Sequence, residues 1–177
     1  DQEVLAKAMQ GTHIAYYLLH ALNSKFDFVA EERELANSFG RACKENGVER
    51  IIYLGGLAKA DSPLSAHLGA RQETGQILRR SGVPTAELRA GIVLGSGSAS
   101  FEMLRHLTER LPIMITPKWV NNRIQPIAIR DVLRYLVGSC NLPAEVNRSF
   151  DIGGPDILTF KEMMIQFAEE ADLPKRR

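Results

Sequence analysis

At 177 residues with 45% apolar side chains, the chain is long and apolar enough to build one domain around a buried core, which excludes a disordered polypeptide. Its 22 basic and 21 acidic residues leave a net charge of +1, so it carries no broad basic footprint for nucleic acid or anionic lipid. No apolar run reaches the roughly eighteen residues that span a bilayer, and Asp1-Gln2-Glu3 is the opposite of a basic secretory leader. The expectation is a cytoplasmic protein with no membrane partner.

The elements follow in chain order. Val4, Leu5, Ala8 and Met9 recur at the helical period, and Gly11 closes that helix ahead of the apolar run 14–19, which suits a strand buried on both faces. Phe28, Leu35, Phe39 and Ala42 predict a crossover helix over 25–46 that Gly47 ends. Arg50-Ile51-Ile52-Tyr53-Leu54 is a second strand running into Gly55-Gly56, and a helix over 64–80 follows, stopped by Gly82-Val83-Pro84. The run 85–94 reads as a third strand. Ser98 or Ser100 caps a helix through 107–110, Ile113-Met114-Ile115 is a short strand, and 116–123 is a polar loop. A helix opens at Arg130-Asp131, and Phe150-Asp151-Ile152 precedes Gly153-Gly154-Pro155 and a last helix from Thr159. Strands alternating with long helices imply right-handed crossovers and the α/β class, an open, doubly wound, mostly parallel sheet. Cys43 and Cys140 fall in helical segments outside any metal-ligand spacing and read as buried free thiols; the four histidines are dispersed and give no metal site.

Three features carry chemistry. Gly95-Ser96-Gly97-Ser98-Ala99-Ser100 lies between a strand and a helix, as a pyrophosphate turn does, but Ser100 stands where a third glycine belongs and no acidic residue ends a following strand. A serine-rich helix cap explains it as well. Gly55-Gly56 is either a tight strand exit or a place where a ligand ring approaches the backbone. His67 and Arg71, four residues apart, share one helical face that points toward the carboxyl end of the preceding strand, where open parallel sheets bind ligands.

The order of these motifs resembles the short-chain dehydrogenase/reductase superfamily, in its extended and atypical branches near the sugar-nucleotide epimerases and the NmrA-like proteins. The resemblance covers essentially the whole chain: Tyr16-Tyr17-Leu18-Leu19-His20 stands as the family's fourth strand, 51–56 as the fifth and 87–95 as the sixth, followed by the segments 126–132 and 150–155. It implies a single NAD(P)-binding Rossmann-like domain over 1–177 that lacks the first strands with their glycine-rich turn, about two βαβ repeats of roughly 30 residues each. The strand at 14–19 is then an edge that a second copy or another partner covers, or the native chain is longer. The cofactor implied is NAD or NADP, with a small-molecule substrate. Leu19 and His20 fall near its adenosine or ribose, Gly55, Gly56 and Arg71 near the nicotinamide ribose, and Ala90, Gly91 and Ile92 near the nicotinamide amide.

The family's serine, tyrosine and lysine fall at Gly56, His67 and Arg71, and none of the three is retained. His67 is a replacement acid/base or an exposed helix-start histidine; Arg71 grips ribose or phosphate oxygens, or pairs with Asp61 or Glu73. Trp119, Asn121, Asn122 and Arg123 offer a stacking face, amides and a cation to a substrate such as a sugar nucleotide, or form a solvated loop anchored by one tryptophan. The function implied is an NAD(P)-dependent oxidoreductase or sugar-nucleotide epimerase-like protein with a degenerate triad. The alternatives are a non-catalytic dinucleotide-binding regulator of NmrA-like type, or a fragment that depends on a partner.

Overall fold

The computed structural model describes residues 2–19, 28–57, 65–110 and 118–173. The strand expected at 113–115, His20 and Asp61 lie outside them. In chain order the elements are α1 (Gln2–Met9), β1 (Ile14–Tyr17), α2 (Phe28–Glu45), β2 (Arg50–Gly56), α3 (Ala66–Arg80), β3 (Thr85–Ala90), β4 (Val93–Leu94) and α4 (Ala99–Arg110). A 3-10 helix (Lys118–Asn121), β5 (Arg123–Ile124), β6 (Ile127–Ala128), α5 (Ile129–Gly138), a second 3-10 helix (Ser139–Asn141), β7 (Arg148–Ile152), β8 (Leu158–Thr159) and α6 (Phe160–Glu170) complete it. The chain divides into two compact units, Asp1–Arg89 with Arg134–Asp151 and Ala90–Leu133 with Ile152–Arg177.

The first unit holds a four-stranded sheet in the order β1-β2-β3-β7, with β1 at its edge. β1 and β2 run parallel in register from Ile14 opposite Arg50 to Tyr17 opposite Tyr53. The architecture is the α/β, Rossmann-like one expected. Apolar residues alternate inward, so Tyr17, Ile51 and Tyr53 meet Phe39, Ala42 and Cys43 of α2 and Leu78 of α3. Tyr17 stands edge-on to Phe39 at 5.0 Å and to Tyr53 at 5.8 Å between ring centroids. Glycines in the left-handed region follow the first three helices, Gly11 at φ 70° after α1, Gly47 at φ 71° after α2 and Gly82 at φ 91° after α3.

Arg50, at the start of β2, is 3% exposed. Its guanidinium donates to the carbonyls of Leu142, Pro143 and Val146, at 3.2, 2.6 and 3.0 Å, and so ties the segment ahead of β7 to the sheet.

β1 is not buried on both faces as the sequence implied: Ala15 and Tyr17 are covered, whereas Tyr16 is 40% exposed. The Tyr16 hydroxyl donates to Leu136 O at 3.3 Å and lies 2.9 Å from Cys140 Sγ. The hydrogen bond with Cys140 and burial push the Tyr16 pKa up to about 12. Cys140 is consequently half-buried and sits in a 3-10 helix, whereas Cys43 is fully buried, with burial raising its thiol to about 11.

The second unit is built differently. The run expected as one strand over 85–94 parts at Gly91, because Ile92 O accepts from Ile127 N at 2.9 Å and carries β4 into a parallel pairing with β6. A side chain at Gly91 would meet Gln125 O at 3.2 Å. β5 and β8 form an antiparallel pair, so 123–124, expected within or beside a loop, is a strand. Leu104, Val120, Phe160, Met163 and Met164 make the core. α4 is capped by Ser98, whose Oγ accepts from Phe101 N at 3.1 Å; α6 is capped by Thr159 and Glu162 in a reciprocal capping box. Gly153 and Gly154 pack closely: Gln125 Nε2 donates to Gly154 O at 2.7 Å, and Gly154 N to Pro126 O at 2.8 Å.

Candidate functional site

In the first unit, the carboxyl ends of β1 and β2 meet the first two turns of α3. Ser65 starts the helix, its Oγ accepting from Leu68 N at 3.3 Å. His67 follows in the first turn and is half-buried; its Nδ1 is buried and lacks a hydrogen-bond partner among the described residues. A buried ring nitrogen of this kind can bond a ligand as donor or acceptor.

Arg71, one turn on, reaches back to the strands. Its Nη1 donates to Leu19 O at 3.2 Å and its Nη2 to Leu54 O, while its guanidinium carbon lies 5.1 Å from the centroid of the Tyr53 ring. The structure therefore brings Leu19, Leu54 and Arg71 together beside Gly55 and Gly56. Glu73, offered in the sequence as a surface partner of Arg71, is instead bonded to Arg33 at 2.6 Å.

The glycine pair has a packing reason. A side chain at Gly55 would lie 3.1 Å from the Tyr53 ring and 3.4 Å from the Glu87 carboxylate; at Gly56 it would meet only Leu68 Cδ2, at 3.1 Å. Gly55 is thus held small by the core behind it. Both buried tyrosines stay protonated at physiological pH. Burial raises Tyr17 to about 12, with Glu32 adding and Arg71 opposing, and burial raises Tyr53 as well, against the same arginine.

Beneath the pair lies a group that sequence reasoning passed over. Glu87, in the middle of β3, is 2% exposed, with its Oε2 3.1 Å from Arg79 Nε. Its carboxyl rests where a side chain on Gly75 of α3 would stand, 2.4 Å from that position. The signals were a charge inside an apolar run and a glycine inside a helix. Burial raises the Glu87 pKa, with Arg79, then Arg89, opposing and Asp151 adding. The native state therefore binds this proton more tightly than the unfolded chain does. The resulting stability is present below the unfolded carboxylate range and is lost as pH rises through the folded value. Urea unfolding of wild type and Glu87→Gln at pH 4, 5.5 and 7 is expected to show the variant gaining on the wild type as pH rises; a constant difference would contradict the assignment.

A cavity of about 670 Å³ opens at the end of β1, between α1, β1 and α2. Leu5, Tyr17, Leu19, Leu35 and Phe39 give it apolar walls, and Glu31 and Glu34 stand among its lining residues. Its volume lies in the range of small-molecule sites.

The remaining sequence candidates belong mainly to the second unit. Ala90 ends β3 and is buried; Gly91 is exposed; Ile92 packs on the second core. Asn122 is exposed, and Arg123, exposed on β5 opposite Thr159, acts on the Glu162 carboxylate through space. Trp119 lies on the first 3-10 helix, its side chain outside the described residues. Gly95-Ser96-Gly97 leads into the Ser98 cap, the structural alternative allowed by the sequence. Among the described residues no group of three or more His, Cys, Asp or Glu is placed to hold a metal ion, and no helix is long and apolar enough to cross a membrane.

Solved structures repeat this chain trace. MoeE5 in complex with UDP-glucuronic acid and NAD superposes with a TM-score of 0.79 at 16% identity, over 98% of this chain and 68% of that one. The two share one fold. A nucleoside-diphosphate-sugar epimerase from Staphylococcus aureus matches at 0.77 and 18% identity, over 98% of this chain and 58% of its own. UDP-N-acetylglucosamine 4-epimerase from Bacillus cereus matches at 0.72 and 15% identity, over 99% and 70%. The chain thus spans between 58% and 70% of the length of these three. No protein-family model and no curated sequence matches it.

Proposed function

We propose that this chain is the larger part of a dinucleotide-binding domain that holds NAD or NADP and works on a small molecule of the sugar-nucleotide kind. The observation that carries the reading is the fold itself, shared with proteins whose structures hold NAD and nucleotide sugars. The local geometry supports it: a His67 ring nitrogen without a partner among the described residues stands in the first turn of the helix that follows the Gly55-Gly56 strand end.

In this reading the cofactor supplies hydride acceptance and return. The apolar walls near Leu19 suit the planar base of its adenosine half, and Gly55 and Gly56 border its nicotinamide ribose. His67 exchanges a proton with the substrate hydroxyl, since an imidazole is the side chain that changes charge near neutral pH. Gly56 brings no hydroxyl to orient a carbonyl, so the substrate must be oriented by other groups.

A second reading has its own support. With glycine and histidine where the resemblance puts serine and tyrosine, the chain binds dinucleotide without turnover and acts as a regulator. Calorimetric titration of the full-length protein with NAD⁺ and NADP⁺, followed by cofactor absorbance with nucleotide-sugar substrates, separates the two. Binding with turnover that falls at least about 10²-fold in His67→Ala is expected for the enzyme. Binding without turnover supports the regulator. No binding of either nucleotide overturns both.

A further inference from the structure

The ladder between β1 and β2 runs only as far as Tyr17 opposite Tyr53, whereas β2 continues to Gly56. Beyond that point the two strand ends are joined by Arg71: one guanidinium donates to Leu19 O on one side and to Leu54 O on the other. The lock is reciprocal. The Tyr53 hydroxyl donates to the carbonyl of Arg71 at 3.0 Å, and the Tyr53 ring lies beneath the guanidinium. Strand β2 thereby anchors the backbone of α3 while α3 anchors the carbonyl just ahead of the glycine pair. Burial keeps Tyr53 a neutral donor for this purpose. A planar fork with donors on two separate nitrogens can bridge two carbonyls; an ammonium, a single point of charge, cannot hold the same span.

We infer that Arg71 is a positioning residue, a clamp that fixes the carboxyl ends of β1 and β2 and so holds Gly55 and Gly56 in place, rather than a group that grips a ligand. The inference deepens the dinucleotide reading above and rests on the Gly55-Gly56 strand end belonging to that site. It separates this chain from the role that the resemblance assigns to the family's lysine.

The test uses the full-length protein with Arg71→Met and Arg71→Lys. Amide hydrogen exchange is followed at Gly55 and Gly56, with Ile51 and Ile52 as the internal reference, alongside calorimetric affinity for NAD⁺. The clamp predicts that both variants exchange about tenfold or more faster at the glycine pair while Ile51 and Ile52 are unchanged. It also predicts that NAD⁺ affinity falls in step, and that added methylguanidinium restores slow exchange in Arg71→Met. Unchanged exchange at Gly55 and Gly56, with or without loss of NAD⁺ binding, overturns it. Should Arg71→Met fail to fold, Arg71→Lys carries the same comparison. If the wild type binds no NAD⁺, the exchange result still decides the clamp, and the failure belongs to the dinucleotide reading alone.

Discussion

Gly75→Ala is expected to destabilise the protein by about 2 kcal/mol, although alanine is the better helix former by about 1 kcal/mol. Gly75 lies in the middle of α3, where a methyl would stand 2.4 to 2.7 Å from the three carboxyl atoms of Glu87. Glu87 cannot swing away cheaply. It is 2% exposed, and its charge is balanced by Arg79. The opposing terms are thus a propensity gain and an overpacking loss, and the loss wins because a buried charged group must move. In a Glu87→Ala background the same substitution is expected to become stabilising by about 0.5–1 kcal/mol, the propensity term alone. A double-mutant cycle by urea unfolding measures this coupling. An increase in stability from Gly75→Ala alone would sink the account.

The second large effect is expected at Arg50. Replacement by methionine keeps much of the apolar stem but removes the donors to Leu142, Pro143 and Val146. Hydrogen bonds from a charged donor are worth roughly 1.5–3 kcal/mol each when broken one-sidedly, and shared effects make the sum smaller. A loss of about 3 kcal/mol is expected, with Arg50→Lys recovering part of it because an ammonium satisfies fewer carbonyls at once. The loss should come with faster amide exchange through 142–148, the segment that the guanidinium holds against β2. A change below about 0.5 kcal/mol in Arg50→Met, within the ordinary range for a surface substitution, would mean that the three carbonyls find other partners without cost.

The second prediction bears on a strand that builds the candidate site. Arg50 secures β2 at its start and Arg71 secures it at its end. Between them Ile51, Ile52 and Tyr53 are fully buried, so the glycine pair projects from a strand held along its whole length. A rigid platform of this kind suits a bound cofactor, because little ordering is left to be done on binding.

What could be read from the sequence was whatever is periodic. Apolar runs at 14–19 and 50–54 were visible as strands, and the spacing of Phe28, Leu35 and Phe39 as a helix, because a buried face repeats at the period of its backbone. The same periodicity placed His67 and Arg71 on one face, since i and i+4 coincide in any α-helix.

Which way that face turns, and what it meets, was decided by tertiary structure. Arg71 met two carbonyls and a tyrosine ring, partners 52, 17 and 18 residues away. Glu87 looked like a lone charge in a strand, and Gly75 a weak point in a helix, until packing made each the reason for the other. The run 85–94 read as one strand because hydrophobicity carries no record of which neighbour a strand will choose. β4 left the first sheet only because Ile127 was there to pair with it. The sequence by itself determined the order and kind of most elements, because local periods are written in adjacent residues. The roles of the polar groups were set by neighbours far along the chain, which only the folded backbone brings within hydrogen-bond reach.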